Sequence, residues 1–370
     1  MKCCGLKLAF ACVSSLALAC GGRTESDTSL PRTTSGGMGA QVLPEPGRGG
    51  SGPNAAAEPA RDWNRMTWTS EPTYLGDNPP LPAGEAPLLA QLWSGSPGEA
   101  WGIQIFGTRG GPVSNLWHFE REQWQVFAED FHRFALATDR ASAPLAAGLD
   151  YYHGTDVASF RGDSWVPWQT RTKMARDDYP VPLLASSSGT DVWFISHDYG
   201  HQDDAAHWDG AEWRHYEIAP VAQVFARSPM DAWAVGSAGL VQHWDGSSWR
   251  GQTVGAFDWT CVGSPAEDDV WVASATGEIA HSSGDTRFST FDAYGKSYPR
   301  APGRLNAIWA SGADNVWIVG EAGAVLHWNG ASWNEQVFRD AGTLSAITGN
   351  AAEVWISGSD ALLRGRASEL

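Results

Sequence analysis

The stretch ISHDYGHQDDAAHW (195–208) sets His197 four residues before His201 and six before Asp203. Imidazole nitrogen and carboxylate oxygen are zinc ligands, so metal-assisted hydrolysis is the chemistry such a set could do. The spacing is loose, however, and no metal or other cofactor is assigned. The stretch is read as a polar binding loop carrying His197, Tyr199, His201, Asp203 and Asp204, with a bound metal as the alternative. Arg109, Tyr151, Tyr152 and His153 are similar in type and lie upstream. Tyr, His and Arg suit a protein interface or a glycan. A second polar set recurs along the chain. His118, His207, His243, His281 and His327 stand before one repeated position, and Glu99, Asp191, Asp231, Asp269 and Glu353 each lie two residues before a Trp. The HExxH, GxSxG and P-loop motifs are missing, as is a GxGxxG following a strand, so the common hydrolase and nucleotide sites are not indicated.

A repeat supplies the elements that must position these groups. VWIVGEAGAVLHWNGASW (316–333) nearly copies AWAVGSAGLVQHWDGSSW (232–249), 84 residues earlier. One marker is an acidic or amide residue, any residue, then Trp, ending at Trp101, Trp193, Trp233, Trp271, Trp317 and Trp355. The other is an aromatic, four residues, then Trp, as in Phe119/Trp124, Phe160/Trp165, Trp208/Trp213, Trp244/Trp249 and Trp328/Trp333. Worn copies run through 133–165 and 270–288, where Phe288 takes the last Trp place, so the period is about forty residues. Seven apolar openings precede the copies: 88–93, 133–138, 181–186, 221–226, 258–263, 305–310 and 344–349. Each copy reads as four short strands bounded by turn residues, with Asp245-Gly246 and Asn329-Gly330 as tight turns. Four-stranded units repeated at this period predict an all-β, seven-bladed β-propeller. The last copy ends after its third strand, and Trp63-Asn-Arg-Met-Thr-Trp68 repeats the aromatic-x4-Trp spacing. Residues 61–70 are therefore expected to close the ring as the outer strand of the last blade, removing an open edge. On such a ring the repeat His residues lie too far apart to share an ion, and each is read as a hydrogen-bonded blade residue. The acidic residues before each Trp are expected to bond backbone amides in the turn. Sixteen of the 21 Trp occupy repeat positions and are assigned to packing, leaving Trp93, Trp117, Trp168, Trp259 and Trp309.

The 370 residues carry a net charge of −17. Nucleic acid is excluded as a partner, since phosphate contacts need clustered Lys and Arg. Residues 1–19 have a basic start (Lys2, Lys7), an apolar run and small residues, the pattern of a secretory signal, too short to span a membrane. The end of this segment, Leu16-Ala17-Leu18-Ala19-Cys20-Gly21, resembles the lipobox of bacterial lipoproteins, in which the Cys after the cleavage site is acylated. The resemblance implies a mature chain beginning at lipidated Cys20, with Cys12 as a weaker rival. It also implies a place in the bacterial envelope, on the outer membrane or cell surface. Residues 20–60, rich in Gly, Ser, Pro and Ala, read as a disordered tether. Cys261 would then be the one free thiol and is read as a buried small apolar residue.

The unit S-x-x-D-V-W-x-V-G-x-x-G-x-x-x-H-W-D-G-x-x-W resembles the repeats of exported bacterial propellers related to the photosystem II stability and assembly factor family. It is also similar to Asp-box (neuraminidase-type) repeats, with Gly246 and Gly330 three residues before Trp249 and Trp333 and the Asp offset by one. The resemblance covers 61–370. It implies a protein that binds, scaffolds or assists assembly; in a minority of relatives it implies a glycosidase. Departures from the repeat locate the expected contact surface. The step from the second-strand Trp to the third-strand aromatic is eleven residues in the plain copies (Trp233 to Trp244, Trp317 to Trp328). It is fifteen from Trp193 to Trp208 and eighteen from Trp101 to Phe119. Enlarged loops over blades 1–3 therefore build up one face, bearing Arg109 and the Tyr, His and Asp residues named above. The expected function is a non-enzymatic platform for an envelope protein partner. A glycan-binding propeller that uses exposed Trp is the first alternative, and a glycoside hydrolase the second.

Overall fold

The structure is a computed structural model. It describes residues 61–74, 85–108, 111–131, 133–138, 144–150, 154–161, 164–168, 183–196, 203–284, 286–290 and 298–369. The chain divides into two units, Met1–Ala56 and Ala57–Leu370, and every described residue belongs to the second. The expected signal 1–19, acylated Cys20 and tether 20–60 lie outside the described residues, as do Arg109, Tyr151, Tyr152, His153, His197, Tyr199 and His201.

The second strand of each repeat shows why these sequences form sheet. DAWAV (Asp231–Val235), NVWIVG (Asn315–Gly320) and EVWISG (Glu353–Gly358) are continuous apolar runs and are buried throughout. A strand covered on both faces needs no alternation. The fourth strands Trp249–Thr253 and Trp333–Val337 face solvent beyond their first residue and are largely polar. The Asp-Gly and Asn-Gly turns form as expected. Asp245 Oδ1 accepts from the Ser247 and Ser248 amides, and Asn329 Oδ1 from those of Ala331 and Ser332. Gly246 and Gly330 follow at φ 86° and 84°, a conformation that costs glycine little.

In every sheet but the closing one, the strands are antiparallel and in chain order. Four-stranded sheets span 91–131, 133–168, 183–218, 223–253 and 305–337. In the closing sheet, Arg61–Tyr74 pairs antiparallel with Ala361–Glu369, which continues to Glu353–Gly358 and Leu344–Gly349. Ala86–Pro87 adds a short parallel strand at Thr73 and Tyr74. The first strands of the sheets touch in a closed circuit, from Gln91–Trp93 through Arg133–Thr138, Leu183–Ser188, Gln223–Ser228, Trp259–Ala266, Leu305–Gly312 and Leu344–Gly349, back to Gln91–Trp93. The molecule is thus an all-β propeller with four-stranded blades.

One expectation of the fold needs correction. The repeat predicts seven four-stranded blades, but among the described residues six sheets carry four antiparallel strands and the 259–283 sheet has three. Its copy lacks both the turn Asp-Gly and the fourth-strand Trp. Among the described residues the outer strand is reduced to one bridge, His281 to Ser289. Trp63, assigned to packing by its repeat spacing, does pack against Trp309, and does so from a bulge in the closing strand. Asp62 pairs with Ser368 and Met66 with Ala367, so residues 63–65 have no opposite partners.

Candidate functional site

The recurring polar groups converge at one place in five of the described sheets. Hairpin register sets the second-strand Trp opposite the third-strand His: Trp101 to His118, Trp193 to His207, Trp233 to His243, Trp271 to His281 and Trp317 to His327. The imidazole stacks on the indole in every case, with centroids 3.8 to 4.1 Å apart. Its Nε2 meets the residue two before the Trp. The distances are 3.3 Å to Glu99, 2.6 Å to Asp191, 2.8 Å to Asp231, 2.7 Å to Asp269 and 2.9 Å to Asn315. The Trp Nε1 donates to the same acceptor in four blades, from Trp101, Trp271, Trp317 and Trp355. The acidic residues therefore serve His and Trp side chains. They were expected to cap amides of their own turn. The nearest approach to that is Gly98 N–H donating to Glu353 of the neighbouring blade at 2.7 Å.

Each unit also joins its blade to the next. Trp193 meets Trp244 and Trp249 edge-on at 5.0 Å, Trp271 meets Trp333 at 5.5 Å, and Trp317 meets Trp68 at 6.0 Å. Trp355 meets Phe119 at 4.6 Å and Trp124 at 5.8 Å, across the closing seam. Indole N–H groups of Trp68, Trp124, Trp249 and Trp333 are buried without a hydrogen-bond acceptor. Edge-on packing against a ring face offers such a donor a weak partner. Nearer the axis, Gln223 Oε1 accepts from Val262 N, Thr260 Oγ1 donates to Leu305 O, and Asn306 Nδ2 donates to Leu344 O. Every one of these bonds crosses to the following blade. The repeat does not show them: Thr260 and Asn306 stand three residues before the partner of the second-strand Trp and Gln223 two before it, so neither the place nor the residue type recurs along the chain.

In the closing blade Arg364 occupies the His register, opposite Trp355. Its guanidinium bonds Glu353 at 2.8 Å and Glu122 of the 91–131 sheet at 2.6 Å, and lies 4.5 Å from the Trp355 ring and 4.8 Å from Phe119. Aligning LLRG with VLHW would have revealed this substitution. Burial opposes the charge on Glu122, but the bonds from Arg364 and Arg366 prevail and lower its pKa. Burial likewise opposes ionised Asp231, and His243 and Arg227 outweigh it, holding the carboxyl below its usual range. Cys261 is wholly buried, and desolvation pushes its thiol up to about 12, so it is a packing residue as expected.

His327 differs from its counterparts because its partner is the amide Asn315. Burial, with no carboxylate in contact, pushes its pKa down to about 4. An unfolded chain takes up this proton near pH 6.5, before the folded chain does, so stability falls as pH drops from 6.5 to 4 and is regained as pH rises. The drop amounts to about 3 kcal/mol at most. Asn315→Asp supplies a counter-charge. Urea midpoints of the variant should gain on wild type steadily as pH falls through that window; a gap that stays constant would show that His327 is not held neutral.

The candidate contact face rests on hairpin extensions. Beyond Trp101 and His118 the ladder continues for seven pairs, to Thr108 and Gly111 on either side of residues 109 and 110. The 223–253 and 305–337 sheets have two pairs beyond the equivalent Trp and His. Five extra pairs are about 17 Å of added strand. The enlarged loop expected in blade 1 is therefore largely a paired β-arm. Pairing also runs to Asp150 and Gly154, flanking 151–153, and to Ser196 and Asp204, flanking 197–203. Asp203 and Asp204 lie in the strand Asp203–Trp208. Of the Trp residues outside the repeat, Trp117 and Trp259 are buried, with Nε1 bonded to Gln104 and to Val254 O, and Trp93 and Trp309 are half-buried. The side chain of Trp168 lies outside the description. No described residues form a cluster of three or more potential metal ligands, and no described helix is long and apolar enough to cross a membrane.

Fold and seams define a repeat β-propeller. No known sequence family matches the chain, and no curated protein matches it. Solved structures do. YCF48 bound to D1 peptide superposes with a TM-score of 0.57 at 14% identity, over 84% of this chain and 99% of that one. The WD40 β-propeller domain of Doa1 gives 0.55 at 14% identity, over 76% and 93%. YCF48 from Cyanidioschyzon merolae gives 0.52 at 13% identity, over 81% and 98%. At these identities the likeness is one of fold.

Proposed function

We propose that this chain is a non-enzymatic binding and assembly platform, held at a bacterial envelope through a lipid on Cys20 and engaging a protein segment. The observation that carries the reading is the division of labour among polar residues. The recurring Asp, Glu and His groups are consumed in bonds within their own blades, while blade 1 extends a paired arm well past its repeat length. A rigid scaffold that varies in its connections is the usual arrangement of a binding protein. The propeller neighbour YCF48 bound to D1 peptide supports a peptide or protein as the ligand class. Arg109, Tyr151, Tyr152, His153, His197, Tyr199 and His201 would supply side chains at the ends of the three extended hairpins, with Asp203 and Asp204 beside them. This face has the aromatic and Arg content typical of interface centres.

The test is co-purification of the full chain from gently solubilised envelope, followed by mass spectrometry. A stoichiometric protein should be present with wild type. It should be lost when 106–113 is replaced by an Asn-Gly turn and 197–202 is shortened, with the melting temperature unchanged. Retention of the partner by the trimmed chain would place the contact elsewhere. Absence of any stoichiometric protein from wild type would remove the platform reading.

A further inference from the structure

The bulge in the ring-closing strand has a consequence separate from the platform face. Between Asp62 and Met66, three residues leave the ladder and lean on the neighbouring 305–337 sheet. Asn64 Oδ1 accepts two bonds at 3.0 Å, from Asn329 Nδ2 and Asn334 Nδ2. Trp63 rests half-buried against Trp309, with centroids 6.0 Å apart. Bulges re-aim side chains, and this one turns an indole and an amide toward a cleft of about 470 Å³. That size lies within the range of small-ligand sites.

We propose that this cleft between the N-terminal bulge and the 305–337 sheet is a binding site for a neutral saccharide, one or two rings long. Trp63 supplies an apolar ring face for the sugar's C–H face. The bond between Asn334 Nδ2 and Asn64 Oδ1 leaves the Asn64 Nδ2 and the Asn334 Oδ1 of this exposed pair for a ligand. Glu335 and Gln336 line the same cleft, are exposed, and have no described hydrogen-bond or ion-pair partner. Planar amide and carboxylate groups beside an aromatic surface match the alternating C–H faces and hydroxyl edges of a pyranose. No Lys or Arg lines the cleft, and His327 at its floor is held neutral by burial, so anionic sugars find no counter-charge. Trp63 was assigned to packing by its repeat spacing; only the bulge releases it.

The experiment is isothermal titration of the full chain with chitotetraose, cellotetraose and maltotetraose. At least one should bind. The double variant Asn334→Ala, Gln336→Ala changes two exposed residues and should keep the wild-type melting temperature. It should weaken binding about tenfold or more, equivalent to about 1.4 kcal/mol. Trp63→Ala should abolish binding; if that variant melts early, the double variant alone decides. Trimming the blade 1 arm should leave sugar binding unchanged, which separates this site from the platform face. Failure of all three sugars to bind, or undiminished binding by the double variant, overturns the proposal.

Discussion

Trp193→Ala should lower the unfolding free energy by about 3–5 kcal/mol, the loss expected when a fully buried large aromatic side chain is removed. Trp193 has no exposed surface, stacks on His207 at 4.1 Å, and is met edge-on by Trp244 and Trp249. Its deletion leaves a cavity at the seam between two blades, whose strands cannot collapse without breaking their ladders. The indole N–H has no hydrogen-bond partner, so the loss comes from packing. Trp193→Phe keeps an aromatic face for His207 and should cost roughly half as much. Urea midpoints with an unchanged m-value would measure this. A loss below about 1 kcal/mol for the alanine variant would show that the seam is not what holds adjacent blades together.

Arg364→Ala should be about as damaging, by a different route. Arg364 and Glu353 are both buried, and the guanidinium bridges the last strand of the ring to Glu122 of the 91–131 sheet. Removing it takes the contact cation from the buried Glu353 carboxylate, which keeps the Gly98 and Trp355 N–H donors and the more distant Arg366, so the cost should lie at the lower end of about 3–5 kcal/mol. The double variant Arg364→Met, Glu353→Gln removes both charges and keeps volume, so it should recover most of the loss. Glu122→Gln changes a largely exposed partner and should cost under about 1 kcal/mol. Arg364→His restores the residue other blades carry; it can reach Glu353 but not Glu122, and should fall between wild type and alanine. If the double variant were no better than Arg364→Ala, the role of the pair would be packing and not charge compensation.

These two residues illustrate what can be read from one chain. The place of Trp193 in the core was legible, because its acidic-x-Trp marker recurs at a fixed period and an apolar run surrounds it. The role of Arg364 was not read, because the residue departs from the repeat it replaces. The His residues were legible as bonded, but the acidic residues that accept from them were assigned to backbone amides. Asp191 and His207 are sixteen residues apart and meet only because hairpin register aligns Trp193 with His207. For the candidate contact face, the extra residues were visible as spacing. That blade 1 spends them on a paired arm and not a loose loop emerged from the ladder between Ala100–Thr108 and Gly111–Glu120.

By itself, the chain's own periodicity determined the strands, the tight turns, the burial of the second-strand Trp residues and the pairing of Arg61–Tyr74 with the last strand. All of these follow from interactions within one forty-residue unit or its missing piece, and such interactions leave a record at fixed spacing. Tertiary structure decided which side chain each unit meets on its neighbour. It also decided that the 259–283 sheet stops at three strands, and that Trp63 leaves the ladder for a cleft. The physical reason is that those outcomes depend on the rotation and distance between adjacent sheets around a closed ring, and no spacing along a single chain encodes either quantity.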